Sequence, residues 1–392
     1  MTVAPDIEVR NRDDAVDAVR AAVADGTTLA LEGAGTKRGW GAPVHADRIA
    51  RLAGIAGVLR YEPEELVLTL RPGTLVAEVD ALLARHGQML AFEPPDYAPL
   101  WGASGRATIG GSVACNASGP RRLRAGAARD HLLGAELVNG RAEIVRTGGR
   151  VVKNVTGYDL CKLLAGSFGT LGIITEMTFK VLPKPQTSAS VAVPAADPRA
   201  AAETMAHLMS GAAAPSALAW LPRGLGEPVQ LDASAEAIVL ARFEGSHAGV
   251  SERIDAVRRR LGGTPIDEDG SRPAWARLRD VAPFHGAGAL WRLAIPPAAV
   301  GDLDALIASD ACLRCFADWG GSLVWVRASG DDTSTRPREW AERAGGRATL
   351  FRAPPGWAIP VWPPQQPAVA ALNARIRAAF DPAGIFNPGR LG

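Results

Sequence analysis

The chain has 392 residues, 47% of them hydrophobic, and its 43 basic and 41 acidic side chains leave a net charge of +2. This length favours two domains rather than one core. The nearly balanced charge excludes the general basic field that would hold nucleic acid or an anionic membrane. No apolar run of about 20 residues predicts a membrane span, and we expect no signal peptide at the N-terminus.

Cysteine usage points to a reducing compartment. Four cysteines, Cys115, Cys161, Cys312 and Cys315, are too few to crosslink a chain of this length. Cys312 and Cys315 form one CxxC pair, but a tetrahedral zinc site needs four ligands and no second pair lies nearby in the sequence. We therefore expect no metal, and two small hydrophobic side chains on a strand instead.

The first half of the sequence alternates strands, glycine loops and helices, which is typical of α+β or α/β domains. The segment Lys153–Pro185, called the third glycine segment below, contains several glycines up to Gly172. A β-branched run begins at Ile173 and predicts a strand. The elements predicted before it are a helix over 13–25, strands over 28–31 and 66–70, a helix over 75–85, and a hairpin of 132–138 and 142–145 around Asn139–Gly140.

The second half predicts an antiparallel sheet with helices on one face. Residues 329–364 are rich in Pro, Gly and Arg and are predicted to be loop-like, before a last helix over Pro367–Phe380. The predicted strands are 188–193, 217–221, 237–243, 290–295 and 322–327, and the predicted helices are 198–209, 250–261 and 298–307.

The first glycine loop, Gly33–Gly39, follows a strand. Its spacing, G-x-G-x-x-x-G, matches neither the dinucleotide fingerprint nor the phosphate-loop pattern. Successive backbone N–H groups in such a loop can still form a nest for an anion, and Lys37 and Arg38 would add charge. An ordinary glycine turn is the alternative.

The second loop, Thr108–Gly119, contains almost no large side chains. Gly110, Gly111 and Gly119 would admit close approach of a ligand, and Ser112, Asn116 and Ser118 offer hydrogen bonds. Together with the first loop it could hold a pyrophosphate from two sides. The alternative is a turn of small residues packed under a helix.

Four segments taken together resemble the FAD-binding domain of the PCMH-type (vanillyl-alcohol-oxidase-like) flavoproteins. They read GAGTKRG, RPGTLVAEVDALLARHGQML, ATIGGSVACNASG and GYDLCKLLAGSFGTLGIITEMTFKVLPKP, and the resemblance covers roughly residues 10–185. The ending FDPAGIFNPGR is similar to the tail of 2-hydroxy-acid dehydrogenases of this family. RTGGRVVKNVTGYDLC and WRLAIP more narrowly resemble the FAD-binding (GlcE-type) subunits of glycolate oxidase.

The resemblance implies an α+β fold in three parts. Residues 1–185 would form the two-part PCMH-type FAD-binding domain. Residues 186–364 would form an antiparallel-sheet cap domain with helices on one face, for substrate or for an interface. Residues 365–392 would form a C-terminal helix and a tail that returns to the FAD domain.

The resemblance also implies where FAD would lie. The first loop would hold the pyrophosphate, the second would contact pyrophosphate and flavin, Gly172–Ile174 would follow the adenosine, and Asn387 would approach the isoalloxazine. Relatives with covalent flavin place His or Cys at defined loop positions, and since Thr36 and Lys37 stand in the first loop we predict non-covalent FAD. The cofactor-binding candidates are Gly33, Ala34, Gly35, Thr36, Lys37, Arg38, Gly39, Thr108, Gly110, Gly111, Ser112, Ala114, Asn116, Ser118, Gly119, Gly172, Ile173, Ile174 and Asn387.

Family members oxidise a 2-hydroxy acid, which requires a cation for the carboxylate and a base for the hydroxyl. Arg292 is the candidate cation, with a surface arginine on a strand as the alternative. His285, followed by glycines, is the candidate base, with a solvated loop histidine as the alternative. The E-H-G-x-G motif of the larger relatives is absent from this sequence, so their metal-assisted site is not expected.

The sequence therefore predicts a cytoplasmic FAD-binding subunit of a glycolate (2-hydroxy-acid) dehydrogenase, with contact to the inner face of the membrane only through its partners. The expected partners are a larger FAD-containing catalytic subunit and an iron–sulfur subunit, because one CxxC pair cannot hold a four-iron cluster. Two alternatives remain: a non-catalytic FAD-binding assembly or electron-relay subunit, and a self-contained FAD enzyme such as an enolpyruvyl-sugar reductase.

Overall fold

The computed structural model describes residues 6–150, 158–226, 230–231, 236–308, 313–328, 335–354, 356–357 and 359–392. Cys312, and with it the CxxC pair, lies outside the described residues, as does the start of the third glycine segment, 151–157.

The strands and helices are numbered separately in chain order. The strands are β1 Ile7–Glu8, β2 Leu29–Glu32, β3 Arg48–Arg51, β4 Val58–Glu62, β5 Val67–Leu70, β6 Gln88–Met89, β7 Leu132–Val138, β8 Ile144–Gly148, β9 Ile173–Lys180, β10 Leu182–Pro183, β11 Thr187–Pro194, β12 Ala217–Leu221, β13 Ile238–Gly245, β14 Thr264–Ile266, β15 Leu290–Ala294, β16 Leu313–Asp318, β17 Leu323–Ala328 and β18 Arg347–Arg352. The helices are α1 Arg12–Asp25, α2 Val76–Ala84, α3 Ile109–Ala114, α4 Arg122–Ala125, α5 Ala128–His131, α6 Leu160–Leu164, α7 Pro198–Ser210, α8 His247–Leu261, α9 Glu268–Arg279, α10 Leu303–Ala308, α11 Arg336–Arg343 and α12 Pro367–Phe380.

The chain divides into two compact units. The described residues of Met1–Ser118, Gly126–Lys184 and Pro364–Gly392 form the first, and those of Gly119–Ala125 and Pro185–Pro363 form the second. The short segment Gly119–Ala125 therefore belongs to the second unit although the first surrounds it in the sequence. The predicted domain 1–185 was continuous and included this segment.

The first unit begins with a three-stranded parallel sheet in the order β1-β3-β2. Helix α1 starts at Asn11, whose side chain accepts a hydrogen bond from the N–H of Asp14, and ends at Gly26 in the left-handed region. Its apolar stripe, including Val16 and Val19, packs on Leu29 of β2.

A second, antiparallel sheet of the first unit has the strand order β4-β5-β9-β7-β8. One of its faces forms a core in which Met177 and Phe179 pack with Val79 and Leu83 of α2. This face is apolar because alternate residues of a strand point to the same side of the sheet. The predicted hairpin around Asn139–Gly140 is confirmed as β7–β8.

The second unit is built on an eight-stranded antiparallel sheet, in the order β14-β11-β13-β12-β16-β17-β15-β18. Its main core lies on one face, where Trp220 and Trp291 pack against side chains of α7, α8, α10 and α11. The predicted antiparallel sheet with helices on one face is confirmed for the three predicted helices, which correspond to α7, α8 and α10, and α11 packs on the same face. Helix α9 lies on the other face of the sheet. The indole N–H of its Trp275 donates to Ser190 Oγ at 2.9 Å, and Ser190 alternates along β11 with residues of the main core.

The prediction of a loop over residues 329–364 is wrong. Helix α11 and strand β18 form within it, since Trp340 and Ala341 enter the main core and β18 pairs with β15. The second glycine loop likewise contains a short helix, α3. Within the part of the chain that the structure describes, no helix is both long enough and apolar enough to cross a bilayer.

Candidate functional site

The first glycine loop is closed by an ion pair across its base. Glu32, the last residue of β2, receives the Arg38 Nε–H at 2.7 Å, and its side chain is only 10% exposed. Gly35 has a φ of +73°, and a Cβ there would lie 2.9 Å from a carboxylate oxygen of Glu32. The guanidinium of Arg38, predicted to add charge for a cofactor, therefore holds the loop in shape.

Four successive amides of this loop are left for a ligand. Among the described residues, none accepts a hydrogen bond from the backbone N–H of Gly33, Ala34, Gly35 or Thr36. Consecutive backbone N–H groups that have no acceptor in a glycine turn can form an anion-binding concavity. This is the arrangement that a pyrophosphate requires, and it fits the role predicted for this loop.

The second loop meets the first at Thr108. A Cβ on Gly33 would lie 2.7 Å from Thr108 Oγ1, so a glycine is needed for the two loops to touch. Thr108 also caps α3 by accepting the N–H of Gly111.

The polar side chains predicted to bind the cofactor here are engaged within the loop. The hydroxyl of Ser112 donates to Thr108 O at 3.2 Å, and that of Ser118 donates to Asn116 O at 3.3 Å. Asn116 has a φ of +47°, and its side-chain oxygen accepts the N–H of Arg129 at 3.1 Å. The hydroxyl protons of Ser112 and Ser118 and the side-chain oxygen of Asn116 therefore already have partners in the protein.

The third segment docks on the end of α3. The N–H of Gly166 donates to Val113 O at 3.0 Å and that of Phe168 to Ala114 O at 2.8 Å. Gly172 has a φ of +151°, and a Cβ there would lie 2.5 Å from Val138 O, so Ile173 can enter β9 beside β7 only after a glycine.

Asn387 of the C-terminal tail lies between the first sheet and the third segment. Its side-chain oxygen accepts the N–H of Leu31, and its side-chain N–H donates to Phe168 O, both at 2.7 Å. Its backbone N–H donates to Leu29 O at 2.9 Å. Asn387 thus joins the backbone of β2, which leads into the first glycine loop, to the backbone of the third glycine segment.

Sequence reasoning did not identify Arg390. Its guanidinium donates to the carbonyls of Arg38 and Ala42, both at 3.0 Å, and the N–H of Ala42 donates back to Arg390 O. Burial lowers the pKa of this guanidinium. The sequence feature that could have indicated Arg390 is its position directly after the NPG turn of the tail. A side chain at that position can reach the first glycine loop, which the tail contacts.

Two cations, Lys37 of the first loop and Arg390 of the tail, act on Cys115 at the end of α3. Burial raises the pKa of the Cys115 thiol to about 11, and the charges of Lys37 and Arg390 act in the opposite direction. The thiol therefore stays protonated at neutral pH, and two cations lie near the junction of the first loop and α3. That charge suits an anionic group.

In the second unit, Arg292 lies on β15 opposite Trp325 of β17. Its strand neighbours Trp291 and Leu293 belong to the helix-covered core, so Arg292 lies on the other face of the sheet. Its guanidinium carbon is 5.1 Å from the centre of the Trp319 ring. A cation held against an aromatic face is oriented, which suits recognition of a carboxylate.

His285 lies in the loop before β15. Its Nε2 is 3.1 Å from the carbonyl of Asp280, and because a carbonyl only accepts, the neutral ring carries its proton on Nε2 and a lone pair on Nδ1. Arg352 holds the loop by donating to Phe284 O and Gly288 O. Burial, with the nearby Arg327, lowers the pKa of Arg352 to about 10, so it stays charged at neutral pH. Arg292 is thus oriented by the Trp319 ring, whereas His285 is held by the Asp280 carbonyl and by the contacts of Arg352 to its loop.

Comparison with known proteins agrees with this geometry. Residues 4–148 match the model of the FAD binding domain, and residues 365–391 match that of the C-terminal domain of FAD linked oxidases. The structure is similar to that of p-cresol methylhydroxylase with substrate bound, with a TM-score of 0.70 and 17% identity over 99% of this chain and 89% of that chain. At this identity the likeness concerns the fold alone. Together, the fold, the loops and these matches define the class, an FAD-binding oxidoreductase of PCMH-type fold, as the sequence predicted.

Two curated relatives narrow the class. Glycolate oxidase subunit GlcE of Escherichia coli (strain K12) is 34% identical over 379 residues, 96% of each chain. Glycolate oxidase subunit GlcD of Bacillus subtilis (strain 168) is 27% identical over 369 residues, 85% of this chain and 77% of that protein. The chain belongs to the family of the glycolate oxidase subunit GlcE.

The residues present fit FAD. The first loop offers its four amides. Among the described atoms, and apart from the backbone of its own helix, a Cβ on Gly111 would meet one, Thr108 Oγ1 at 3.3 Å. Bare backbone at Gly111 beside an anion-binding turn is the surface that a dinucleotide with a pyrophosphate needs.

Proposed function

We propose that this chain is the FAD-binding subunit of a glycolate (2-hydroxy-acid) oxidase or dehydrogenase complex, oxidises glycolate to glyoxylate, and passes the electrons to partner subunits. One observation carries the proposal. The three glycine segments and the tail contact one another, and the backbone N–H groups of residues 33–36 have no acceptor among the described residues. The names of the relatives, glycolate oxidase subunits GlcE and GlcD, support glycolate as substrate and a further glycolate oxidase subunit as partner. In this proposal that partner is a larger, FAD-containing catalytic subunit. An iron–sulfur subunit completes the proposed complex.

In this proposal FAD, held without a covalent bond, supplies the hydride acceptor, flavin N5. The chain's own residues bind and orient. The amides of residues 33–36 hold the pyrophosphate, and Gly111 leaves room for the cofactor. Arg292 binds the substrate carboxylate, and Nδ1 of His285 takes the hydroxyl proton.

The central experiment is anaerobic addition of glycolate or D-lactate to the isolated chain loaded with FAD. Bleaching of the flavin absorbance supports catalysis in this subunit. Absence of bleaching in the isolated chain and in its native complex would exclude this chemistry and favour the assembly or electron-relay alternative. Oxidation of NADPH on addition of an enolpyruvyl sugar would instead identify a self-contained reductase.

Replacing Arg292 by Met is expected to raise the substrate concentration for half-maximal flavin reduction roughly tenfold to hundredfold, because a charge-assisted contact to the carboxylate is lost. FAD content should stay unchanged. Arg347→Met, at an exposed position at the start of β18, is the matched control and should behave like the wild type. An Arg292 variant with unaltered substrate dependence would remove this residue from the site.

Acid precipitation of the holoprotein is expected to leave all flavin in the supernatant. A covalent bond to cysteine requires a thiolate, and burial raises the pKa of Cys115 to about 11. The measurement is flavin absorbance in the pellet after it is redissolved in denaturant. A yellow pellet would show that the cofactor is covalent.

A further inference from the structure

The turn between β16 and β17 adopts an unusual backbone. Trp319, Gly320 and Gly321 have φ values of +52°, +64° and +93°. A left-handed conformation is ordinary for the glycines but strained for a tryptophan, and Asp318 supports it by accepting the Trp319 N–H at 2.6 Å. Strain of this kind persists where the surroundings fix it, and it concentrates at functional positions.

The Trp319 indole is fixed at its edge and contacted by two cations. Its N–H donates to Gly119 O at 3.1 Å. The guanidinium carbon of Arg122 lies 4.3 Å from the ring centre, and that of Arg292 lies 5.1 Å from it. Two guanidiniums are therefore gathered around one ring, and an aromatic face orients the plane in which the N–H donors of a guanidinium lie.

The segment that carries Arg122 is anchored on both sides of it. Arg121 donates to both carboxylate oxygens of Glu244, at 2.9 and 2.6 Å, and both side chains are largely buried. Leu123 packs against the main core of the second unit. The backbone of Arg122 is thus fixed, and in the sequence it directly follows the second cofactor loop.

We propose that Arg122 is a second carboxylate-binding residue of the substrate site, and that Trp319 is the positioning residue that holds Arg122 and Arg292 together. The ligand chemistry is a small carboxylate, such as that of a 2-hydroxy acid. This inference rests on the proposed function for the identity of the ligand, while the anion site itself can be tested separately.

The experiment is calorimetric titration of the FAD-loaded chain with oxalate, which has the carboxylate of a 2-hydroxy acid but cannot be dehydrogenated. Arg122→Gln should weaken oxalate binding about tenfold or more, as Arg292→Gln should. Arg124→Gln, an exposed position in the same helix with the same change in charge, is the matched control and should bind like the wild type. Trp319→Gly removes the ring at a backbone that glycine adopts without strain, and should also weaken binding, whereas Trp319→Phe should restore most of it.

Each outcome decides one point. Wild-type affinity in the Arg122 variant, or an equal loss in the Arg124 variant, would overturn the assignment of Arg122. Failure of the wild-type chain to bind oxalate would overturn the anion site. If oxalate binding depends on Arg122 but no 2-hydroxy acid reduces the flavin, the proposed function fails and the anion site stands.

Discussion

Gly111→Val is expected to yield a folded protein that purifies without FAD. Apart from the backbone of its own helix, the new Cβ would meet one described atom, Thr108 Oγ1 at 3.3 Å, so a shift of that hydroxyl by a few tenths of an ångström accommodates it. The valine methyl groups would instead occupy the surface assigned to the cofactor. Helix propensity changes by less than about 1 kcal/mol on this replacement, so stability of the cofactor-free chain should change little.

The measurement is the ratio of flavin to protein absorbance after gel filtration, with thermal unfolding as the check on folding. Gly149→Val is the matched control, since a Cβ at Gly149 meets no atom of the described residues within 4 Å, its two chain neighbours aside. If Gly111→Val does not fold, Gly111→Ala offers a smaller change at the same surface. A folded variant that carries FAD at the wild-type ratio would show that the cofactor does not lie on α3.

Asn387→Ala is expected to destabilise the first unit by about 3–5 kcal/mol. The variant leaves the N–H of Leu31 and the carbonyl of Phe168 without the partner that each has now. It also places a residue with a Cβ but no polar side chain at a φ of +41°. Asn387 is only 6% exposed, so water cannot readily replace these contacts.

Chemical unfolding of the cofactor-free chain would measure the loss, and titration with FAD would show whether affinity falls with it. Asn373→Ala in α12 is the matched control, because that amide bonds to Gln365 near the surface. A loss of less than about 1 kcal/mol for Asn387→Ala would mean that the tail adds little to the loops.

Sequence reasoning was most successful where local signals and tertiary structure agree. The Asn139–Gly140 turn signal located the hairpin. Strands β7 and β12 have the predicted bounds, whereas β8 begins at Ile144 rather than at 142. The glycine motifs of the three segments led to the correct fold and cofactor. At Gly110 and Gly172 the reason for a glycine is a backbone one, since a Cβ would lie 2.9 Å from Pro72 O and 2.5 Å from Val138 O.

It failed where tertiary contacts outweigh local propensity. Helix α9 contains Gly270 and Pro273, which argue against a helix, but Trp275 and Ser271 secure it against β11. Helix α11, in a stretch rich in Arg and Pro, forms because Trp340 reaches the main core. The side-chain roles in the second loop were also beyond reach, since whether Ser112 faces a ligand or its own helix depends on a rotamer.

The junction of the tail with β2 has a consequence for biosynthesis. Asn387 and Leu31 are 356 positions apart in the sequence, and Leu29 pairs with Phe386 across a similar interval. During translation the first glycine loop is therefore made long before Asn387 and Arg390, the residues that hold it. The proposed FAD site cannot be complete until the ribosome has passed Arg390, whose guanidinium donates to the carbonyls of Arg38 and Ala42.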